Sequence, residues 1–160
     1  MPIKVLEFHH HAVSMPTGLV EKMGDFYRDI LGFSSDAGRW VIPGIPGYFF
    51  DVPNDIQIHL LGSDGQSPYS QGFGRDPVEN HMALAVEDVV EAERFLTENK
   101  IDFFKLENVA APQLQQLFLR DPAGHLIELH QIGHCRCKAS DRPAPGAGPK
   151  EAPGTSPAAA

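Results

Sequence analysis

The chain has 160 residues, of which 42% are hydrophobic and 21% charged, a size and composition that suit one domain or two half-domains sharing a core. Thirteen Lys and Arg against 21 Asp and Glu give a formal net charge of -8, so no basic field exists to hold a nucleic acid or an anionic membrane. No apolar run approaches the ~20 residues of a membrane span. The only cysteines are Cys135 and Cys137, which excludes a disulfide framework and predicts a cytoplasmic protein.

The first part of the chain predicts one strand, one helix and three short strands. The strand covers 3–14. The helix covers 19–31, where apolar residues recur every three or four positions, and Gly32 ends it. The short strands are separated by Pro, Gly, Asn and Asp turn residues. They are predicted over 38–42, 47–52 and 56–61.

The same order of elements then repeats after a Gly- and Ser-rich linker at 62–78. A strand at 81–86 and a helix at 88–100 precede three strands, which are predicted over 102–106, 114–120 and 125–131. The chain therefore divides into module one, about 3–61, and module two, about 79–132, within one domain at 1–132. Residues 133–160 are rich in Pro, Ala and Gly, and their last 22 lack Val, Ile, Leu and aromatic residues, so a disordered tail is predicted.

Four metal-capable residues stand at corresponding places of the repeat. His10 and His81 lie 71 positions apart, and His59 and Glu128 lie 69 positions apart. His59 and Glu128 each stand between two aliphatic residues, and His81 is followed by Met82, so in a strand the polar side chain and its apolar neighbours take opposite faces. This pattern is typical of a polar group that faces into a concave sheet.

The remaining histidines and the cysteines are given no ligand role. By strand alternation, His9 and His11 are expected to face away from His10. His130 shares a face with Glu128 and is taken as a packing residue. The Cys135-Arg136-Cys137 segment lacks the spacing of a zinc knuckle and is interpreted as incidental.

Three strings of residues recur in a characteristic order along the chain. They are His9-His10-His11-Ala12 with Asp25-Phe26-Tyr27-Arg28-Asp29-Ile30-Leu31-Gly32-Phe33, then Asn80-His81-Met82-Ala83, then Asp121-Pro122-Ala123-Gly124-His125-Leu126-Ile127-Glu128-Leu129. In this order and spacing, the strings resemble the vicinal oxygen chelate superfamily of glyoxalases, bleomycin resistance proteins and extradiol dioxygenases. The resemblance covers almost all of 1–132 and is greatest to single-chain, two-module glyoxalase I-like proteins. It implies an α+β fold in which two βαβββ modules form a curved mixed sheet, a cup with helices on the outside.

The resemblance also implies one divalent metal ion, Zn, Ni, Fe or Mn, held by His10, His59, His81 and Glu128. Four protein ligands on an octahedral ion leave two positions for adjacent substrate oxygens, with Glu128 or His59 moving a proton. If His59 instead stands off the ion, the other three form a two-histidine, one-carboxylate triad, as in non-haem Fe(II) enzymes. His59 then becomes an acid or base beside the substrate.

The function implied is a metal-dependent lyase or isomerase acting on a small molecule with vicinal oxygens. Two alternatives remain open: an extradiol-type ring-cleaving dioxygenase and a small-molecule-sequestering protein of the antibiotic resistance type. A homodimer is expected, with the site closed either within one chain or across the dimer. The candidate substrate-binding residues are Arg39 and Arg75, for an anionic group, and the aromatic residues Trp40, Phe50 and Phe118.

Overall fold

A computed structural model describes residues 1–142, so most of the predicted tail lies outside the described residues. Eight strands form one mixed sheet in the order β2-β3-β4-β1-β5-β8-β7-β6. Among residues 1–142, no helix is both long enough and apolar enough to cross a lipid bilayer. The strands are β1 (Val5–Met15), β2 (Ser34–Ser35), β3 (Gly47–Val52), β4 (Ile56–Gly62), β5 (His81–Val86), β6 (Phe103–Glu107), β7 (Gln115–Arg120) and β8 (Leu126–Gln131).

The two modules join through their first strands. β1 pairs antiparallel with β5 at the centre of the sheet, while β4 runs parallel to β1 and β8 runs parallel to β5. Each module therefore supplies one side of a continuous sheet, and the predicted α+β architecture of two repeated modules is confirmed.

The helix predicted over 19–31 is a composite of three helical geometries. A 3-10 turn at Thr17–Leu19 leads into helix α1 (Val20–Asp25), and a π-helical turn follows at Phe26–Ile30. The wider turn is visible where the Leu31 N–H donates to the Phe26 carbonyl, five residues back. Gly32 then takes a φ of +72° and ends the helical segment as the sequence predicts.

Helix α2 (Val89–Glu98) covers the outer face of the second module. The Asp88 carboxylate accepts the backbone N–H groups of Val90 and Glu91, which caps the helix. Its buried residues Val89, Ala92 and Leu96 pack against apolar side chains of β7 and β8. This leaves the opposite face of those strands to line the inside of the cup.

The strand predicted over 38–42 does not form. The first module's short edge strand is instead Ser34–Ser35, which pairs with Asp51 and Phe50 of β3. Residues 38–42 run as a loop, in which the Asp36 carboxylate accepts the Gly38 N–H and Ile42 is buried. The apolar residues Trp40 and Ile42 of this short run line a cavity and do not belong to a strand ladder.

A β-bulge in β1 overturns the prediction that His9 faces away from His10. Phe8 pairs with Leu84 and His10 with Ala83, so β1 carries one residue more than β5 between these pairs. The extra residue is His9. It is only 1% exposed and His10 only 4%, since both side chains turn toward the inside of the cup.

Residues 133–142, here called the C-terminal strap, belong to the tail that was predicted to be disordered, but they pack against the first module. Arg136 donates two hydrogen bonds to Asp36, at 2.9 and 2.8 Å. Arg142 forms a two-pronged ion pair with Asp51. The composition of the tail did not predict this packing, because Arg136, Arg142 and the buried Cys137 hold the strap in place without a run of hydrophobic residues.

Removal of the Asp36 carboxylate tests this docking. Burial tends to raise the pKa of Asp36, but hydrogen bonds from Arg136 and the Gly38 N–H, with the charge of Arg142, lower it below its ordinary value. Asp36→Asn should therefore lower the free energy of unfolding by about 2 kcal/mol at pH 7. The deficit should vanish as the pH falls through the folded-state pKa, where wild-type Asp36 also becomes neutral.

Urea unfolding at pH 7 and at successively lower pH values measures this difference, with Asp29→Asn as the control at an exposed ion pair with Arg28. A deficit that stays the same down to the lowest pH at which the wild type remains folded would show that the charge of Asp36 does not hold the strap.

Candidate metal centre

Four adjacent strands bring the predicted metal ligands together at the middle of the sheet. His59 lies on β4, His10 on β1, His81 on β5 and Glu128 on β8, which is the order of these strands in the sheet. Ala12 of β1 pairs with His59 on one side and with His81 on the other, so residues of both modules meet at this point of the sheet. All four residues come from one chain, so the site closes without a partner.

Three of these side chains converge. His10 Nε2 lies 3.4 Å from His81 Nε2 and 3.4 Å from Glu128 Oε2, and His81 Nε2 lies 3.1 Å from Glu128 Oε2. With metal–donor bonds of about 2.1 Å, neighbouring ligands of an octahedral ion stand about 3.0 Å apart. The three donors therefore fit one face of a divalent ion's coordination shell with little movement. All three residues are buried.

Hydrogen bonding fixes which nitrogen of His81 faces this point. His81 Nδ1 lies 2.7 Å from the Glu79 carbonyl oxygen, which can only accept, so Nδ1 carries the proton. Nε2 of the neutral ring is then a lone pair, directed at the Glu128 carboxylate. Either a proton on Nε2 or a metal ion satisfies this buried contact, and the nitrogen and oxygen donors suit a divalent ion.

Glu128 is held as an anion by its neighbours. Burial tends to raise its pKa, but the charge of His10 and hydrogen bonds from His10, His130 and His81 hold that pKa well below its ordinary value. Its second oxygen, Oε1, accepts Gln116 Nε2 at 2.9 Å and pairs with His130 Nδ1 at 2.8 Å. These contacts leave Oε2 facing the two histidines.

His59 stands beside this triad instead of completing it. Its ring stacks between His10, at a centroid distance of 3.7 Å, and Phe49, at 3.5 Å. Gln57 Nε2 donates to Asp51, which leaves Gln57 Oε1 to accept the His59 Nε2–H at 2.8 Å. His59 Nδ1 is consequently the free acceptor. Burial, followed by the charge of His10, holds the pKa of His59 well below its ordinary value.

The triad forms the floor of a small cavity of about 70 Å³ that opens to solvent. Gln116 also faces the cavity, and its Oε1 is buried without a hydrogen-bond partner among residues 1–142, so an acceptor is free for a bound molecule. The walls are largely apolar and include Ile42, Ile45, Phe49, Leu61, Tyr69, Val78, Val109 and Leu114.

The five predicted substrate-binding residues are distributed unevenly around this cavity. Trp40 and Phe118 are among its lining residues. Arg39 lies just behind the wall, over the Phe49 ring at 4.8 Å, and donates to the Ile45 carbonyl.

Phe50 and Arg75 do not reach the cavity. Phe50 is fully buried on the other face of β3, packed with Tyr27, because strand alternation gives the inner position to Phe49. Arg75 pairs with Asp102 and donates to the Phe103 carbonyl.

Sequence reasoning also missed a second group of metal-capable residues beside the triad. His9, His130, Cys135 and Cys137 place one donor atom each within 4.8 Å of one another. Burial tends to lower the pKa of His130, but its hydrogen bonds with Cys135 and Glu128 raise it to about 10. This group could have been suspected from the sequence, because its only two cysteines lie within a few residues of His130.

Fold and sequence pattern together define a two-module protein of the vicinal oxygen chelate type. The family model for the Glyoxalase/Bleomycin resistance protein/Dioxygenase superfamily matches residues 8–129. The chain belongs to this superfamily.

Individual relatives are more distant. The chain is 27% identical over 137 residues to "Glyoxylase I 4" from Arabidopsis thaliana, covering 85% of this chain and 74% of that protein. The structure of methylmalonyl-CoA epimerase from Mycobacterium tuberculosis is similar, with 20% identity and a TM-score of 0.61 over 82% of this chain and 91% of that one. Hypothetical protein BH1468 from Bacillus halodurans C-125 has 21% identity and a TM-score of 0.59, covering 78% and 93%. At these identities, the structural likeness shows the fold alone.

Proposed function

We propose that this protein is a metal-dependent enzyme of the glyoxalase type, a lyase or isomerase acting on a small substrate with two adjacent oxygens. The observation that carries the proposal is the buried convergence of His10, His81 and Glu128, 3.1 to 3.4 Å apart, at the floor of an apolar cavity. The similarity to a protein named as a glyoxylase and to the fold of an epimerase supports the same classes of reaction.

In this proposal His10, His81 and Glu128 hold one divalent ion, Zn, Ni, Fe or Mn. A bound ion of this kind supplies a Lewis acid for negative charge that develops on the substrate oxygens. The apolar walls exclude water, and the free Gln116 Oε1 accepts a hydrogen bond from a substrate hydroxyl.

His59 is proposed as the base. The hydrogen bond to Gln57 leaves His59 Nδ1 unprotonated, and its stacked position fixes the ring in the cavity wall. A base held in one tautomer and one orientation needs no reorganisation before it takes a proton. Glu128 is the other residue proposed to move a proton, since it is the only carboxylate among the cavity-lining residues.

His59→Ala separates the base from the ligand role. If His59 is a base, the variant should bind the metal within about threefold of the wild-type affinity, while turnover falls about 100- to 10,000-fold. Metal affinity is measured by calorimetric titration of the chelator-treated protein, and turnover with the best substrate from a panel of α-hydroxycarbonyls. The matched control is His11→Ala, an exposed histidine on the neighbouring strand. A loss of affinity as large as that in His81→Ala would make His59 a fourth ligand.

The three-residue triad specifically favours a second candidate, an extradiol-type ring-cleaving dioxygenase. Two histidines and one carboxylate, with His59 off the ion, are the ligand pattern of non-haem Fe(II) oxygenases. Oxygen uptake by the Fe(II)-loaded protein with catechols would select this candidate. A protein that binds such molecules stoichiometrically and converts none of them would be a sequestering protein of the antibiotic resistance type.

A cytoplasmic homodimer completes the proposal. Free thiols at Cys135 and Cys137 fit a reducing compartment. Sedimentation at micromolar concentration measures the assembly, and a monomer of 17.5 kDa would contradict the dimer without affecting a site that closes within one chain.

A further inference from the structure

A second donor cluster lies beside the catalytic triad, where the C-terminal strap meets β1 and β8. The His2Cys2 cluster consists of His9, His130, Cys135 and Cys137, whose donor atoms all lie within 4.8 Å of one another. His9 and His130 are 1% and 0% exposed, and Cys137 is 2% exposed. His9 Nδ1 stands 2.8 Å from His130 Nε2 and 3.1 Å from Cys135 Sγ.

The outer nitrogens of both histidines are committed to carboxylates. His9 Nε2 lies 2.8 Å from Glu7 Oε2, and His130 Nδ1 lies 2.8 Å from Glu128 Oε1. Ionised carboxylates only accept, so these outer nitrogens carry the ring protons. In the neutral rings, the inner nitrogens are lone pairs that face each other at 2.8 Å. A proton on one of them, or a metal ion bound by both, satisfies this buried contact.

Carboxylate anchoring of this kind is typical of metal-binding histidines. A histidine ligand usually donates its other N–H to a carboxylate, which fixes the tautomer and directs the free lone pair at the ion. Both histidines of the cluster satisfy this pattern independently, from carboxylates on different strands. Cys135 and Cys137 add two sulfur atoms to this pair of nitrogens. A hydrogen bond between two histidines needs no sulfur ligands, whereas a soft or borderline metal ion does.

We propose that His9, His130, Cys135 and Cys137 bind a Zn²⁺ ion in a tetrahedral His2Cys2 site, separate from the catalytic ion. Two nitrogens and two sulfurs are a standard donor set for structural zinc. With bonds of about 2.0 Å to nitrogen and 2.3 Å to sulfur, the donors of such a site stand about 3.3 to 3.8 Å apart. The cluster reaches this geometry when the 2.8 Å contact opens by about half an ångström and the longer separations, which extend to at most 4.8 Å, close to within about 3.8 Å.

The ion would fasten the C-terminal strap to the sheet and position the catalytic triad. Glu128 touches both centres, with Oε1 at His130 and Oε2 at His81. Cys137 Sγ lies 3.2 Å from His10 Nδ1, the outer nitrogen of a triad histidine. Loading of the cluster therefore fixes the orientation of Glu128 and His10 before the catalytic ion binds.

Cobalt substitution tests the site, because tetrahedral thiolate coordination gives Co²⁺ an intense sulfur-to-metal charge-transfer absorption that nitrogen and oxygen ligands do not. Full-length protein, reduced and freed of metal by chelator, is titrated with Co²⁺ and then Zn²⁺ under anaerobic conditions. The wild type is expected to bind two ions per chain and to show the thiolate band for one of them. Zn²⁺ should then bleach this band.

Variants separate the two centres. Cys135→Ala and His9→Ala should each lose the thiolate band and one ion, whereas His81→Ala should keep the band and lose only the catalytic ion. His11→Ala, an exposed neighbour of His9, is the control and should bind both ions. If the His81→Ala stoichiometry is unchanged, the proposed function fails and the zinc site stands.

Three results would overturn the zinc site. The first is a wild-type protein whose Co²⁺ form has no thiolate band. The second is a stoichiometry of one that Cys135→Ala does not change. The third is a Cys135–Cys137 disulfide that forms when the reduced protein is exposed to air in the presence of Zn²⁺, with oxygen as the oxidant. Since the first and third results are read on the wild type, the proposal can be overturned even if a variant fails to fold.

Discussion

His81→Ala should lower the affinity of the triad for a divalent metal at least about 100-fold and abolish turnover. The substitution removes one of three donors and leaves the Glu128 carboxylate facing an enlarged cavity. The fold should survive, because His81 contributes a polar side chain to the cavity floor and its strand β5 is held on both sides by β1 and β8. Calorimetric titration of the chelator-treated protein with Mn²⁺ and Zn²⁺ measures the loss.

His125→Ala is the matched control for this loss. His125 occupies the exposed turn before β8, where it pairs with Asp121, and it faces neither centre. The control should bind metal as the wild type does. If His81→Ala binds the ion as tightly as His125→Ala, then His81 is not a ligand and the triad is wrong.

Gly47→Ala should prevent the first module from folding. A Cβ atom at Gly47 would lie 1.8 Å from the Leu60 carbonyl oxygen, and this backbone atom cannot move aside without disrupting the pairing of β3 with β4. Because β4 also carries His59, the distortion would reach the cavity wall. The free energy of unfolding should fall by more than about 4 kcal/mol, at the extreme of single substitutions.

Gly18→Ala provides the comparison, because a Cβ atom there meets nothing within 4 Å. Circular dichroism and urea unfolding should show a native Gly18→Ala protein beside a largely unfolded or insoluble Gly47→Ala protein. Equal stability of the two would mean that β3 and β4 do not approach as closely as the structure describes.

The repeated pattern along the chain was enough to predict the fold. Helix α2 and the strands around His59, His81 and Glu128 could be read from the sequence, because each has an apolar face with a regular period. The strand prediction for 38–42 was wrong, since a loop that lines a cavity can carry the same short apolar run between turn residues as a strand.

The site was harder to predict wherever geometry departs from regular alternation. The bulge at His9 adds one residue to β1, and a pattern with a strict period of two assigns His9 to the wrong face. Phe50 was predicted to bind substrate, but Phe49 lines the cavity. Which of these two adjacent residues faces inward depends on the register of β3, and this register could not be derived from the sequence. The docking of Cys137 depends on ion pairs of Arg136 and Arg142 with the first module, formed over about 100 positions of sequence.

The two centres are expected to be coupled through Glu128. Its two oxygens contact His130 on one side and His81 on the other, so a change at either centre alters the orientation of the same carboxylate. Cys135 and Cys137 of the cluster also line the cavity, whereas His9 and His130 do not. Metal loading of the cluster is therefore expected to alter the cavity wall as well.

The most direct test of the proposed catalytic metal centre is anomalous diffraction from crystals of the full chain soaked with Mn²⁺. An anomalous peak bonded to His10 Nε2, His81 Nε2 and Glu128 Oε2, with His59 off the ion, is the predicted result. A peak bonded to His59 as well would convert the triad into a four-ligand site. No peak at these three atoms, in crystals whose protein binds Mn²⁺ in solution, would contradict the account.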